Sequence, residues 1–202
     1  MIRTRTTLLA NTAKGLLLFG ALATAGSTSC FFVPRDAEPG GSTTRWEPAR
    51  DPLRLVTNIE VTMEDQQIEF YDNAFSDTFL FRADRLDSID EASAGSESTF
   101  VNWTEEVERV VADNIFNAAD SISLTLTNLS PPDSVDEGGS IRLRKNYELS
   151  IVDVNSVQTL YKGTLTFYMN QPGSDWVLYR WEDARAPEPG IPSWGQLRAR
   201  NK

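Results

Sequence analysis

Histidine is absent from the 202 residues, and cysteine occurs once, at Cys30. Catalysis by a Ser-His-Asp or Cys-His arrangement needs an imidazole base, so both classes of enzyme are excluded. The usual zinc sites are built from His or Cys ligands, and a single thiol cannot close an intramolecular disulfide. We therefore expect neither a metal nor a cofactor.

Basic residues are scarce in the middle of the chain. Residues 60–137 contain 19 acidic side chains and three basic ones, and the whole chain has a formal net charge of −10. Such a surface repels phosphate backbones, so nucleic acid is not expected as a partner. Solvation of an exported protein explains the acidity.

Long hydrophobic runs are also missing, apart from residues 15–25 (GLLLFGALATA). A helix of this length spans about 16 Å, which is too short for the ~30 Å hydrocarbon core of a bilayer. Arg3 and Arg5 precede the run and small residues follow it, which is the order of a secretory signal. We therefore predict a signal peptide over residues 1–29 and a location outside the bacterial cytoplasm.

The cysteine comes directly after this signal. Residues 27–30 (STSC) resemble the lipobox of bacterial lipoproteins, in which the cysteine is diacylated. The resemblance implies a palmitate-type membrane anchor at Cys30 in the cell envelope, on the periplasmic or the surface side. The alternative is conventional cleavage after residues 23–25 (ATA), which leaves a free thiol. Residues 30–50 contain proline, glycine and serine, and predict a flexible tether behind the anchor.

Residues 51–183 have the periodicities of one α+β domain. Asp51 and Pro52 are typical of a helix start, and apolar residues then recur at three- and four-residue spacing. Residues 85–98 are polar and acidic and predict a loop, after which a second helical pattern follows. From Ile122 onward the period is two, which predicts an antiparallel sheet of about four to six strands behind two or three N-terminal helices.

Residues 184–202 predict a C-terminal docking segment followed by a basic tail. Trp194 and Leu197 are the apolar residues expected to pack on the domain. Arg198, Arg200 and Lys202 are expected to trail in solvent.

The order of these elements resembles the nuclear transport factor 2-like superfamily. The finer echoes are Leu55-x-x-Asn58, Phe79-Leu80-Phe81 and, near the C-terminus, Trp181-x-Asp183 with Ser193-Trp194-Gly195-x-Leu197, which looks like the tail of bacterial lipoproteins of this fold. The resemblance implies a cone: a curved sheet with helices closing over it and a pocket between them. It also implies that a homodimer through the sheet is plausible. Such cones include both enzymes and non-catalytic modules, so function has to be argued from the site.

The last predicted strand carries apolar residues on both faces. Strict alternation places Trp176, Leu178, Arg180 and Glu182 on one face and Val177, Tyr179, Trp181 and Asp183 on the other. The sequence leaves open which of the two faces lines the pocket.

Two functions are consistent with these residues. The first is a non-catalytic, lipid-anchored module that binds an apolar small ligand or another envelope protein. Aromatic side chains on successive strands favour it, although each of them would also fill a core. The candidate pocket-lining residues are Tyr147, Phe167, Trp176, Tyr179 and Trp181.

The second function is a small-molecule enzyme of the isomerase, dehydratase or hydrolase type. It would use a pocket carboxylate beside a tyrosine as its general base or acid. The alternative for the same residues is an ion pair near the edge of the sheet. The catalytic candidates are Tyr147, Arg180, Glu182 and Asp183.

Overall fold

The computed structural model describes residues 45–96, 99–129, 134–136 and 139–202. The predicted signal peptide, Cys30 and most of the predicted tether lie outside these residues and stay predictions. The elements, in chain order, are α1 (Pro52–Glu64), α2 (Ile68–Asp72), β1 (Phe75–Arg82), α3 (Arg85–Ser93), α4 (Glu105–Ala118), β2 (Ala119–Asn128), β3 (Ser134–Asp136), β4 (Ser140–Asp153), β5 (Gln158–Asn170), β6 (Val177–Arg185) and α5 (Trp194–Arg200).

The strands form one sheet in the order β1-β6-β5-β4-β2, with the short β3 beside β4. The pairs of β2 with β4, β4 with β5 and β5 with β6 are antiparallel, as the run of hairpins predicts. β1 instead pairs with β6 in parallel, because the chain leaves β1 through two helices and returns to it much later. The α+β class is confirmed, and the sheet is mixed rather than wholly antiparallel.

The first helix begins where Asp51 and Pro52 predict it. The carboxylate of Asp51 accepts a hydrogen bond from the Arg54 N–H at 2.9 Å, and Pro52 occupies the first helical turn, where its missing N–H costs nothing. The helix ends before Gln66, whose φ of 53° lies in the left-handed region. The side chain of Gln66 donates to the carbonyls of Phe116 and Ala119, which holds this break against the end of α4.

The loop predicted for residues 85–98 is wrong, because Arg85–Ser93 forms α3. Asp84 caps this helix by accepting from the Leu86 N–H at 2.7 Å. The residue that this helix buries is Asp87, which has no exposed surface, and it is charged rather than apolar. Asp87 accepts hydrogen bonds from Ser193 and Arg185, partners about one hundred residues away. Hydrophobic periodicity could not reveal a helix that is held by a buried carboxylate.

Residues 45–50 were assigned to the tether, but they lie against the domain as an ordered strap. The side chain of Asn58 donates to the Glu47 carbonyl at 2.6 Å and accepts from the Glu47 N–H at 3.4 Å. The Ala49 carbonyl accepts from the Trp176 N–H at 2.7 Å, and Ala49 itself is buried. The ordered domain therefore begins before Asp51.

The basic tail is also corrected by the structure. Trp194 and Leu197 are buried, but so is Arg198, whose exposed fraction is 0%. Arg198 is buried because the α5 turn that carries Trp194 inward carries Arg198 inward too, four positions later. Arg200 and Lys202 are exposed, as the sequence predicts.

Gly163 of β5 allows a close approach between a tyrosine ring and the neighbouring strand. It faces Tyr147 across the β4–β5 pair without a shift in register. A Cβ atom at this position would lie 2.3 Å from the Ala184 carbonyl oxygen and 2.6 Å from the Tyr147 hydroxyl. Glycine is therefore required so that the Tyr147 ring can lie across β5.

In the described part of the chain, no helix has both the length and the apolar character that a bilayer crossing demands.

Candidate functional site

The space between the helices and the sheet, where a pocket was expected, is filled by α5. Phe167 and Trp181 have no exposed surface, and their ring centroids are 4.8 Å apart. Trp194 of α5 lies 4.6 Å from Trp181 and 5.5 Å from Tyr147, with edge-on geometry in both cases. Phe167, Trp181 and Tyr147 therefore line a packed interior that already contains an indole.

Two of the predicted catalytic residues hold the first turn of α5. The hydroxyl oxygen of Tyr147 accepts from the Trp194 N–H at 2.8 Å, and a carboxylate oxygen of Asp183 accepts from the Gly195 N–H at 2.7 Å. Ser193 and Gln196 complete a capping box. The unpaired N–H groups that every helix start presents are satisfied here by sheet residues that the sequence suggested as an acid and a base.

Burial sets the protonation behaviour of these two residues. Burial raises the pKa of Asp183 to about 6, although the Gly195 N–H and the charge of Arg198 both act in the opposite direction. Burial, together with the negative charge of Asp183, raises the pKa of Tyr147 well above its ordinary value. The Asp87 carboxylate also lies close to Gly195, and burial raises the pKa of Asp87 as well. Two carboxyl groups therefore meet the start of α5.

The end of α5 is held by a buried ion pair that the sequence did not predict. The Arg198 guanidinium donates to both carboxylate oxygens of Glu108, with Nη2–Oε1 at 2.7 Å and Nε–Oε2 at 3.0 Å. The Tyr71 hydroxyl and the Trp103 indole N–H donate to the same carboxylate at 2.7 and 2.8 Å. The guanidinium also lies over the Trp181 ring, 4.1 Å from its centroid. A burial of this kind is tolerable only because each charge is paired and hydrogen-bonded.

One signal in the sequence marks Glu108. It lies on the apolar stripe of α4, three and seven positions before Val111 and Ile115, where a carboxylate is unexpected. A charge on the buried face of a helix is stable only when it is paired, so this position predicts a buried counter-charge. Its identity, Arg198, is set by tertiary packing across 90 residues.

Arg180 and Glu182 lie on the opposite face of the sheet from Asp183. The pairing passes from Met169↔Leu178 to Tyr168↔Arg180, so Tyr179 is an extra residue on β6. This β-bulge breaks the strict alternation that the sequence suggested. As a result Leu178, Trp181 and Asp183 are the buried residues of the strand.

The outward residues form a second cluster, the outer-face cluster, made of Tyr168, Tyr179, Arg180, Glu182 and Arg82. Glu182 accepts from the Tyr168 hydroxyl at 3.0 Å and forms an ion pair with Arg180. The Arg180 guanidinium lies 4.6 Å above the Tyr168 centroid, and the Tyr179 ring lies 6.2 Å from that of Tyr168. The four catalytic candidates are therefore divided two and two by the sheet, and they do not form one site.

The cavities found along the described residues are open at the surface. Tyr147 contributes to one of about 410 Å³ beside Gly163, and Trp176 contributes to one of about 280 Å³ beside the strap. A third, of about 620 Å³, lies between Asp84 and the proline-rich segment that leads to α5. Within the described ranges, no group of three or more Asp, Glu, Cys or His side chains is arranged to hold a metal ion.

No protein-family model matches the chain, and no curated protein sequence matches it. Among solved structures, a "putative scytalone dehydratase" from Novosphingobium aromaticivorans has a TM-score of 0.52 at 8% identity and covers 71% of this chain and 90% of its own. A "putative aromatic ring hydroxylase" from the same species has a TM-score of 0.51 at 13% identity and covers 67% and 87%. A nuclear transport factor 2-like superfamily protein from Salmonella enterica has a TM-score of 0.45 at 12% identity and covers 68% and 90%.

Of these three structures, the two with TM-scores above 0.5 are named as a putative scytalone dehydratase and a putative aromatic ring hydroxylase. These names describe the neighbours and not this chain. At identities of 8–13% the likeness shows the fold alone.

Replacing Glu108 by Gln is expected to lower the free energy of unfolding by about 3–5 kcal/mol, because Arg198 then keeps a buried charge without its counter-charge. The measurement is urea denaturation followed by the shift in midpoint. Glu148→Gln is the matched control: Glu148 pairs with Lys162 but is 61% exposed, and its loss should cost less than about 1 kcal/mol. Equal losses in the two variants would contradict the central role of the buried pair.

Replacing Asp183 by Asn is expected to change how stability depends on pH. The folded pKa of about 6 exceeds the ordinary 3.8, so the folded state binds more protons than the unfolded state between these values. Wild type should therefore gain up to about 3 kcal/mol relative to Asp183→Asn as the pH falls from 7 to 4. Relative to Asp153→Asn, wild type should instead lose stability as the pH falls, because backbone N–H groups lower the pKa of the Asp153 carboxyl. Parallel pH curves for wild type and Asp183→Asn would refute the assignment.

Proposed function

We propose that the protein is a non-catalytic binding or interaction module of the bacterial cell envelope, anchored by a lipid at Cys30. The observation that carries this proposal is the occupation of the cone interior by α5. A substrate site needs a cavity that reaches reactive groups. Here the two inward candidates, Tyr147 and Asp183, are hydrogen-bonded to the main chain of α5.

The outer-face cluster supports an interaction with another protein. Tyr and Arg are the residue types that most often dominate binding energy at protein interfaces, together with Trp. Tyr168, Tyr179 and Arg180 are partly exposed and already ordered by mutual contacts, so little side-chain freedom would be lost on binding. The partner would be another envelope protein or a second copy of this chain.

A small-molecule enzyme is the second candidate function. Its support is Asp183, since a carboxyl with a pKa of about 6 beside a tyrosine is typical of a general base. Catalysis would require α5 to leave the interior. That movement would separate Arg198 from Glu108 and expose three aromatic contacts of Trp194 and Arg198 with Trp181 and Tyr147.

The two functions are separated by cross-linking and affinity purification from the native host. The double variant Tyr179→Ala/Arg180→Ala should lose a specific cross-linked species that wild type forms, because it removes the outward aromatic and cation. Asp183→Asn is the control and should retain this species, since its side chain faces the interior. Loss of the species in Asp183→Asn alone, or retention of a small molecule whose conversion needs Asp183, would favour the enzyme.

The anchor is tested separately by growth with labelled palmitate. Wild type should incorporate the label, and Cys30→Ala should not, because the thiol is the acylation site. Two or more acyl chains, at ~0.8 kcal/mol per buried methylene, should also keep wild type in the membrane fraction. Unlabelled wild type would exclude the anchor and leave the interaction module untouched.

A further inference from the structure

The five tryptophans of the chain divide into two groups. Trp103, Trp181 and Trp194 are at most 1% exposed and belong to the core around Arg198. Trp46 and Trp176 are only partly buried, although they are 130 positions apart in the sequence. Both line the same cavity, of about 280 Å³, at the strap. The two indoles that reach the surface therefore line one cavity.

The wall that carries Trp46 is held in position by specific bonds. Asn58 is 2% exposed, and its side-chain amide both donates to and accepts from the main chain of Glu47, the residue next to Trp46. The Trp46 ring also stacks on Phe70, with centroids 5.4 Å apart and planes 25° apart. A buried amide used in this way fixes the strap, so the cavity is preformed.

The floor of the cavity is apolar and its rim is polar. Leu55, Ala49 and Val177 lie among the lining residues, together with Asn73 and Asp175 at the rim. Asn73 is exposed, and its side-chain amide forms no hydrogen bond with the described residues. The Asp175 carboxylate is 3.2 Å from the Arg50 guanidinium and half-exposed. The more exposed lining residues thus offer an amide and a carboxylate.

We infer that this cavity, the strap pocket, binds a single sugar ring. The volume lies just below the ~300 Å³ lower end of drug-sized sites, which suits a ligand of one ring. The apolar C–H face of a pyranose packs on an indole face, and its hydroxyls both donate and accept hydrogen bonds. Asn73 and Asp175 supply the complementary groups at the rim.

Other one-ring or cationic ligands fit the pocket less well. A purely apolar ring would use the indoles but leave the Asn73 amide without a hydrogen-bond partner in the ligand. A quaternary ammonium group would be attracted to indole faces, but it would have to compete with Arg50 for Asp175. The sugar inference goes beyond the proposed function and does not depend on it, because the outer-face cluster shares no lining residue with the strap pocket.

The test is titration of the intact ¹⁵N-labelled protein with methyl glucoside and N-acetylglucosamine, followed through the indole N–H signals. Signals of Trp46 and Trp176 should shift with a dissociation constant on the order of 1 mM, while those of the three buried tryptophans stay fixed as internal references. Phenol and tetramethylammonium are the counter-probes and should shift them less.

Variants locate the contact. Trp46→Leu should weaken the binding of these sugars at least tenfold, and Asn73→Ala should weaken it several-fold with the melting temperature unchanged, because its side chain is exposed. Tyr179→Leu, on the outer-face cluster, is the matched aromatic control and should bind as wild type does. The inference is overturned if neither sugar shifts the Trp46 and Trp176 signals, if phenol or tetramethylammonium shifts them more, or if Asn73→Ala binds unchanged. Such a failure would leave the cross-linking result on the outer face as it is.

Discussion

The buried pair of Glu108 and Arg198 is the interaction on which the rest of the structure depends. Removing two charges from water costs several kcal/mol each, and that cost is offset only in one arrangement of the surrounding groups. Tyr71 and Trp103 donate further hydrogen bonds to the Glu108 carboxylate, and the Trp181 ring covers the Arg198 guanidinium. Since α2, α4, β6 and α5 each contribute one of these groups, the pair requires all four elements to be in place together.

This requirement explains why the cone has no open interior. α5 brings Arg198 to Glu108, and the same turn inserts Trp194 between Trp181 and Tyr147. The helix start then needs acceptors for its N–H groups, and Tyr147 and Asp183 provide them. In an open pocket, Asp183 and Tyr147 could act as an acid and a base. In this chain they instead accept hydrogen bonds from the first turn of α5.

Where the sequence predicted the structure, one short-range signal was sufficient. Asp51 and Pro52 start α1, and the period of two from Ile122 marks β2. Where it failed, the deciding contact was distant: α3 depends on Asp87 meeting Arg185 and Ser193, and the outward position of Tyr179 depends on a bulge set by pairing with β5. Of the candidate site, alternation placed Trp181 and Asp183 on the same face of the last strand, but it did not show that this face is the inward one or that α5 covers it. A pattern in one segment carries no information about the segment that will cover it.

The same reasoning supports the two binding surfaces proposed above. A closed interior leaves recognition to the periphery, where side chains can be ordered without being buried. The Trp46 indole on the strap and the Tyr168–Arg180 stack on the sheet satisfy this condition, since each ring is held by a neighbour and still reaches solvent. Ordering a side chain in advance removes part of the entropy that binding would otherwise cost. The buried charge pair and the ordered surface rings are therefore connected, because the pair fixes the framework and the framework positions the rings that reach solvent.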